Sequence, residues 1–364
     1  MTTFHYELLA TDGRRRRGRV HTPHGTFETP CFAPVGTLAT IKGLTTAAVR
    51  ETGAELILSN AYHLHLRPGA DYVARRGGLH QFMNWDGPIL TDSGGYQIFS
   101  LAHRSRIDDD GVRFHSFIDG TEQFLSPERA LEVQRDLGPD IAMVLDECPA
   151  GNASHELVRS AHERTLRWAE RARDLHARWG GKSRGQAVFG IVQGGPDPEL
   201  RQASADALVD MDFDGYAVGG LSVGETKAQM EVALNAAVDR LPEHKPRYLM
   251  GVGTPEDFVQ AVDRGIDFFD CVTPTRHGRN HQAFTREGVL KLRNLKYAED
   301  DRPLDENCTC HTCRTVSRAY LRHLAIARES LGGILLSLHN IHYFQDLMQE
   351  MRTDIEQKAA QQAG

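Results

Sequence analysis

The chain has 364 residues, 40% of them hydrophobic, which is enough for one large domain or two ordinary ones. The formal net charge of −7 excludes a protein whose overall field attracts nucleic acid, so only a local basic patch could do so. No run approaches the roughly 18 apolar residues of a membrane helix, and the N-terminus is charged where a signal peptide would be apolar. We therefore expect a soluble, cytoplasmic protein.

The chain begins with polar segments, followed by short apolar runs that each end in a polar residue or a glycine. The RRRR run at 14–17 is interpreted as a hairpin turn with solvated charges, and a contact with nucleic acid is the alternative. Eight apolar runs are predicted to be strands: CFAPVG (31–36), ELILSN (55–60), PILTDSGG (88–95), IAMVLDE (141–147), AVFGIVQGG (187–195), GYAVGG (215–220), RYLMGVG (247–253) and IDFFDCV (266–272). The continuous apolarity of IAMVL and YAV is typical of strands buried on both faces of a parallel sheet.

Amphipathic stretches between these runs carry helix-capping signals. Ser126 is a candidate N-cap with Pro127 at the first helical position, and Gly138 marks a C-terminal stop. A long arginine-rich helix is predicted over 154–179, and Thr254 begins another capped helix. Eight strands alternating with helices predict an α/β fold, a (β/α)8 TIM barrel; an open doubly wound sheet is the alternative.

The chain is longer than the barrel needs, and the excess follows the eighth strand. We expect a barrel with an N-terminal hairpin over 1–275 and an insertion over 276–338 that contains a basic arm and a zinc-binding subdomain. The final barrel helix is then expected over 339–364.

Polar residues at the predicted strand ends meet at one mouth of such a barrel. They are Asn60, Asp92, Asp146, Gln193 and Asp270, with glycines at 219, 220, 251 and 253 that let a flat ligand approach the backbone. A single strand-end Asp is as often a helix cap as a reactive group, but three together favour a site. In DSGGYQ, Asp92 is a candidate acid or base, Ser93, Gly94 and Gly95 are candidate ligand contacts, and Tyr96 offers a ring for stacking.

The cysteines at 308, 310 and 313 form the most specific pattern in the chain. Cys-x-Cys-x-x-Cys supplies three thiolates within reach of one tetrahedral ion, and CTCHTC is too polar for a core. The fourth ligand is predicted to be a histidine, with His339, His342 and His311 as candidates. Such a closed sphere indicates a structural zinc ion.

The basic arm begins directly after Asp270. From Thr275 to Lys296 six Lys and Arg residues stand against one acid, Glu287. A solvated loop is the ordinary interpretation of such a run. Here its position between a reactive carboxylate and a zinc site favours binding of phosphates.

Taken together, LTDSGGYQ, DECPA, GIVQGG, GYAVGGLSVGE, YLMGVGTPED, FDCVTPTRHGRN and CTC-x-x-C followed by HN resemble the bacterial tRNA-guanine transglycosylases over nearly the whole chain. The resemblance implies exchange of the wobble guanine of GUN-anticodon tRNAs for a 7-deazaguanine, in queuosine biosynthesis. It also implies a covalent enzyme–RNA intermediate and a homodimer. GIVQGG and GGLSVGE are closer to the motifs of the eukaryotic enzymes, whereas Cys148 matches the pocket of the bacterial enzymes. We expect 7-aminomethyl-7-deazaguanine as the incoming base, with queuine as the alternative.

The resemblance also assigns roles to individual positions. Asp270 is implied as the nucleophile and Asp92 as the general acid/base. Recognition of the base is implied for Asp146, Cys148, Gln193, Gly220 and Leu221, with Tyr96 and Met250 on either side of the ring. One structural zinc ion per chain is implied at Cys308, Cys310, Cys313 and His339. Contacts with tRNA are implied for Gly251, Val252, Gly253, Thr254, Pro255, Glu256, Asp257, Thr275, Arg276, His277, Gly278 and Arg279.

Two other functions use some of the same residues. A retaining glycoside hydrolase would use Asp92 and Asp270 as its carboxylate pair, but it would not need the cysteine cluster or the basic arm. A non-catalytic tRNA-binding subunit would not need both acids.

Overall fold

The computed structural model describes residues 3–101 and 105–363. The strands, numbered in chain order, are β1 (His5–Asp12), β2 (Arg15–Thr22), β3 (Gly25–Thr29), β4 (Cys31–Gly36), β5 (Ile57–Ser59), β6 (Ile89–Thr91), β7 (Ser105–Asp108), β8 (Gly111–His115), β9 (Glu122–Leu125), β10 (Ile141–Met143), β11 (Ala187–Val192), β12 (Gly215–Val218), β13 (Arg247–Leu249), β14 (Phe268–Cys271), β15 (Gln282–Thr285) and β16 (Gly288–Lys291). The helices are α1 (Thr46–Glu51), α2 (Ala61–Leu66), α3 (Ala70–Arg75), α4 (Gly78–Met83), α5 (Gly95–Leu101), α6 (Pro127–Leu137), α7 (His155–Arg178), α8 (Pro198–Asp210), α9 (Lys227–Val238), α10 (Pro255–Val262), α11 (Thr273–Arg279), α12 (His311–Thr315), α13 (Arg318–Ala327) and α14 (Ser330–Ala363).

Eight parallel strands close into a barrel. Their order is β4, β5, β6, β10, β11, β12, β13 and β14, and β14 pairs with β4 to complete the ring. Each of the eight predicted strand runs contains one of these strands, so the prediction of a (β/α)8 barrel is confirmed and the open sheet is excluded. The carboxyl ends of all eight strands consequently face one mouth.

The helix-capping predictions are confirmed as well. Ser126 accepts a hydrogen bond from the Arg129 amide at the start of α6, and Gly138 ends that helix in the left-handed conformation. Ser154 caps the long helix α7. Thr254 caps α10 through a reciprocal pair of hydrogen bonds with Asp257.

The interpretation of the RRRR run as a solvated turn is correct for Arg14 and wrong for the three arginines that follow. Only Gly13 and Arg14 form the turn, and Arg15 begins β2. The Arg16 side chain is 3% exposed, and its Nε donates to Asp267 Oδ1 at 3.0 Å. This carboxylate stands just before β14, so β2 covers the amino-terminal end of the barrel. An ion pair between residues so far apart in sequence cannot be recognised from the local charge run.

The chain departs from the simple barrel in three places. The antiparallel strands β1–β3 form a sheet before the barrel, where an N-terminal hairpin was expected. A three-stranded antiparallel sheet, β7–β9, follows α5 and was not predicted. After β14 come α11, the β15–β16 hairpin, α12 and α13, and the chain then returns along α14. Gln345 of α14 donates to the Phe32 carbonyl of β4 at 2.9 Å, so this helix packs on the barrel wall. None of the helices in the described part of the chain combines the length and apolar composition that crossing a membrane requires.

Candidate active site

The predicted reactive residues lie together at the carboxyl ends of the barrel strands. Asp92 follows β6, Asp146 lies beyond β10, Gln193 follows β11 and Asp270 is part of β14. All four side chains are buried, although they line the mouth of the barrel. Their positions follow from the fold, because each ends a strand whose apolar residues are fixed in the barrel wall.

The Asp270 carboxylate is held asymmetrically. The Tyr248 hydroxyl donates to Oδ1 at 2.5 Å, and the Gly251 amide donates to the same oxygen at 2.7 Å. Within residues 3–101 and 105–363, Oδ2 has no hydrogen-bond donor. Burial raises the pKa of Asp270, and the bonds from Tyr248 and Gly251 oppose that rise. One oxygen is therefore fixed while the other is available for bond formation.

The Asp92 carboxylate has a different environment. The Asn60 side-chain amide donates to Oδ2 at 2.6 Å, and the Ala61 amide donates to Oδ1 at 2.7 Å. Burial, together with the nearby negative charge of Asp270, raises the pKa of Asp92 to about 6. A carboxyl group with that pKa exchanges its proton readily near neutral pH, as general acid/base chemistry requires.

Asp146, Gln193 and Ser93 form a hydrogen-bonded group beside the two acids. Gln193 Nε2 donates to Asp146 Oδ2 at 2.7 Å, and the Ser93 hydroxyl donates to Oδ1 at 3.1 Å. Burial raises the pKa of Asp146, and the bonds from Gln193 and Ser93 oppose that rise. Gln193 is 1% exposed, yet its Oε1 atom has no partner among the described residues. This acceptor is therefore available to a ligand.

Two glycines allow the backbone to approach this group closely. A Cβ atom on Gly95 would lie 2.5 Å from the Asp146 carbonyl, and one on Gly220 would lie 2.3 Å from Gln193 Oε1. Gly94 has φ +87° and packs against Tyr62. These contacts explain the glycine-rich strand ends without any reference to a ligand.

The other predicted base contacts surround the same group. The Tyr96 side chain is 52% exposed, and Met250 is half-buried near Gly219. Cys148 is buried, and burial raises the pKa of its thiol to about 12, so the thiol is neutral. Leu221 is also buried.

The predicted tRNA segments differ in exposure. Gly251, Glu256, Arg276 and Arg279 are exposed, His277 is half-buried, and Val252, Thr275 and Gly278 are buried. Gly253, Thr254, Pro255 and Asp257 are half-buried at the start of α10. A Cβ on Gly278 would lie 2.5 Å from the Ser337 amide, so this glycine permits close packing of α11 on α14. The arm is a short helix followed by a hairpin rather than an open loop.

The three cysteines of the insertion converge on one histidine. The Nδ1 atom of His339 lies 3.6, 3.5 and 3.3 Å from the sulfurs of Cys308, Cys310 and Cys313. His339 Nε2 lies 2.7 Å from the Phe284 carbonyl, which can only accept, so Nε2 carries the proton and Nδ1 presents its lone pair to the sulfurs. Four donor atoms within 4.8 Å of one another can hold a metal ion.

Of the other two candidate ligands, His342 approaches the cluster from one side. It groups with Cys308 and Asp346 but not with the other two cysteines. His311 is exposed on α12. The set with His339 is the one in which all three sulfurs take part.

Sequence reasoning did not identify Tyr248, although a signal for it exists. Tyr248 stands two residues before Met250, so in an extended strand it faces the same side of the sheet. A polar ring on the inner face of a barrel strand beside a candidate nucleophile indicates a hydrogen-bond partner.

Comparison with known proteins agrees with this geometry. A family model described as queuine tRNA-ribosyltransferase matches residues 12–363. The queuine tRNA-ribosyltransferase of Ruegeria sp. (strain TM1040) is 53% identical over 352 residues, which is 97% of this chain and 93% of that protein. Those of Novosphingobium aromaticivorans and Listeria welshimeri are 53% and 51% identical, covering 98% of this chain and 95% and 93% of their own lengths. The chain belongs to the queuine tRNA-ribosyltransferase family.

Proposed function

We propose that this protein replaces the wobble guanine of GUN-anticodon tRNAs with 7-aminomethyl-7-deazaguanine, as a step of queuosine biosynthesis. As a member of its family it is a tRNA-guanine transglycosylase, a pentosyltransferase. The observation that carries the proposed exchange chemistry is the difference in environment between two buried carboxylates at one barrel mouth. Among the described residues nothing donates to one oxygen of Asp270, and burial raises the pKa of Asp92 to about 6.

The unequal carboxylates support a double displacement. Asp270 Oδ2 attacks C1′ of the ribose, the bond from C1′ to guanine breaks, and Asp92 supplies the proton that the leaving base takes up. The incoming base then attacks C1′, Asp92 takes back a proton from its ring nitrogen, and Asp270 is released as a carboxylate. The logic is that of a retaining glycosidase, with a heterocycle in place of water.

The base has to leave its stack to reach these groups. The Asp146 carboxylate and the unpaired Gln193 Oε1 are acceptors suited to the N–H donors on the edge of a guanine. The exposed ring of Tyr96 is suited to stacking on the base, with Met250 on its other face. Exclusion of water by the buried group strengthens each of these interactions.

The preference for the aminomethyl base rests on the segment after β12. Glu225 accepts hydrogen bonds from the amides of Ser222 and Val223. Because the N–H and C=O of a trans peptide point in opposite directions, the Leu221 carbonyl is turned away from Glu225 and is free to accept from a cationic aminomethyl group. The buried Cys148 limits the space for a bulkier substituent. Competition on tRNA loaded with labelled guanine tests this choice, and efficient displacement by queuine where the aminomethyl base acts poorly would reassign the chain as a salvage enzyme.

We further propose that Cys308, Cys310, Cys313 and His339 hold one zinc ion per chain. Three thiolates and one imidazole fit a closed tetrahedral site, and the Phe284 carbonyl orients the histidine. Zinc would supply cross-linking and no chemistry. Homodimer formation, which sedimentation would test, and a cytoplasmic location stay predictions.

The central experiment is the Asp270→Asn substitution. An amide is nearly isosteric with the carboxylate but a poor nucleophile, so exchange should fall by several orders of magnitude while the fold persists. The parent should incorporate labelled guanine into tRNA and give an enzyme–RNA band on a denaturing gel, and the variant should do neither. Asp239→Asn is the matched control, because the one ion pair of that exposed carboxylate among the described residues is with the exposed Arg14.

An adduct of equal yield in Asp270→Asn would contradict the assignment. Release of free sugar from an oligosaccharide by the parent would favour the glycoside hydrolase, and tRNA binding without exchange would favour the non-catalytic subunit.

A further inference from the structure

Arg201 of α8 is a fully buried arginine without an acidic partner. Its side chain is 0% exposed, and within the described residues no carboxylate lies within salt-bridge distance of its guanidinium. Burial lowers the pKa of Arg201 to about 10, so the group stays charged at neutral pH. A buried charge of this kind destabilises the fold unless hydrogen bonds compensate it. The groups that accept hydrogen bonds from Arg201 therefore indicate its role.

All four acceptors are backbone carbonyls beside the proposed base pocket. Nε donates to Gly195 at 2.8 Å and Nη1 to Val192 at 2.8 Å, and both carbonyls belong to the end of β11 and the loop after it. Nη1 also donates to Gly219 at 2.7 Å, and Nη2 donates to Gly220 at 3.2 Å, after β12. The planar guanidinium group of Arg201 thus connects the carboxyl ends of β11 and β12.

The tied segments carry two of the proposed base contacts. Gln193 directly follows Val192, and its Oε1 would clash with any side chain at position 220. A second residue of α8 anchors the same segment, since Ser204 Oγ accepts from the Gln193 amide at 3.1 Å. Free movement of either strand end would change the spacing between the Gln193 side chain and the Gly220 backbone.

We propose that Arg201 is a positioning residue of the base pocket, which sets the spacing between Gln193 and Gly220 by binding the carbonyls on both strand ends. This inference rests on the proposed function and deepens it. The alternative is that Arg201 only fastens α8 to the barrel wall. In that case its loss would lower stability without a selective effect on the base.

The chain offers a matched control in Arg247. It is buried, burial lowers its pKa to about 10, and it donates to the Leu241 carbonyl at 2.5 Å. It lies at the start of β13, at the opposite end of the barrel from the pocket. Arg247→Lys therefore also removes a buried guanidinium group, but it leaves the proposed base contacts unchanged.

The experiment compares Arg201→Lys with Arg247→Lys and the parent. A lysine keeps the charge but presents it from one point, so it cannot span both strand ends as the fork does. We expect Arg201→Lys to raise KM for free guanine and for 7-aminomethyl-7-deazaguanine by about tenfold, the order of one misaligned hydrogen bond in a buried site. KM for tRNA should change by less than about twofold, and Arg247→Lys should leave both KM values near those of the parent.

Equal KM values for the base in the two variants, at equal loss of unfolding free energy, would overturn the inference. If Arg201→Lys does not fold, Ser204→Ala provides the test, because it removes an anchor of the same segment. An unchanged KM for the base in Ser204→Ala would then overturn the inference. Absence of guanine exchange in the parent would instead overturn the proposed function, so the two failures are distinguishable.

Discussion

Gly220→Ala tests the geometry of the base pocket at its narrowest point. Gly220 has φ +63°, and a Cβ there would lie 2.3 Å from Gln193 Oε1. The substitution therefore carries two separate costs, one of backbone strain and one of a displaced side chain.

The two costs have different sizes and different consequences. An alanine in the left-handed region costs about 1–2 kcal/mol in unfolding free energy. Gln193 is buried and its Nε2 bonds to the Asp146 carboxylate at 2.7 Å, so moving its side chain sacrifices that bond. A hydrogen bond to a charged group contributes about 1.5–3 kcal/mol, which corresponds to a roughly 10- to 150-fold loss in kcat/KM for the base.

Gly13→Ala separates strain from displacement. Gly13 has φ +58°, and a Cβ there would have no heavy atom within 4 Å. It should therefore lose unfolding free energy through strain alone and keep the kinetics of the parent. Urea unfolding measures the first quantity, and incorporation of labelled base at varied concentration measures the second.

A Gly220→Ala variant that matched Gly13→Ala in both stability and base kinetics would refute the reasoning. It would mean that the Gln193 side chain can move without cost and does not define the pocket.

Three further changes probe other parts of the molecule. Burial raises the pKa of Asp92 from 3.8 to about 6, so the contribution of this group to the unfolding free energy falls as pH rises between these values. The unfolding free energy of Asp92→Asn minus that of the parent should therefore rise from pH 4 to pH 7, and a difference that does not change with pH would contradict the shifted pKa. Cys310→Ser should lose about one zinc per chain, as measured by mass spectrometry. Cys31→Ser, at a buried cysteine of β4, should keep the zinc. Full retention of zinc in Cys310→Ser would show that the proposed ligand set is wrong. Arg16→Met removes the ion-pair partner of the buried Asp267 carboxylate and should lower the unfolding free energy in urea by about 3–5 kcal/mol. Arg14→Met, at an exposed pair, should lower it by less than about 1 kcal/mol. Similar losses in the two variants would argue against a buried ion pair.

The barrel was predictable because its signals are local and repeated. Each strand is a short apolar run, and each cap is a residue type at a fixed offset, as Ser126, Pro127 and Gly138 illustrate. The cysteine cluster was predictable for the same reason, since its spacing alone brings three thiols together. The spacing left three candidate histidines open and the family resemblance implied His339, which reaches all three cysteines from α14.

The features that escaped prediction depend on partners distant in sequence or on the backbone. Arg14 and Arg16 stand in one run of four arginines, yet Arg14 forms an exposed pair with Asp239 and Arg16 forms a buried pair with Asp267. Arg201 looks like an ordinary helix arginine in the sequence. Its four acceptors are main-chain carbonyls, which every residue type carries, so the sequence cannot indicate them.

The surface arginines of this acidic protein fall into two groups that the sequence does not distinguish. On α7, four of the six arginines are matched by acids, among them Arg164 with Glu147 and Arg171 with Glu128. On α11, directly after the proposed nucleophile, Arg276 and Arg279 are exposed and pair with no carboxylate of the described residues. Neutralised arginines on α7 add little attraction for RNA, whereas unpaired ones beside Asp270 place positive charge where the phosphates flanking a reacting ribose would lie. A net charge of −7 is thus compatible with an RNA substrate, because the field that matters is local to the carboxylate that must approach the RNA.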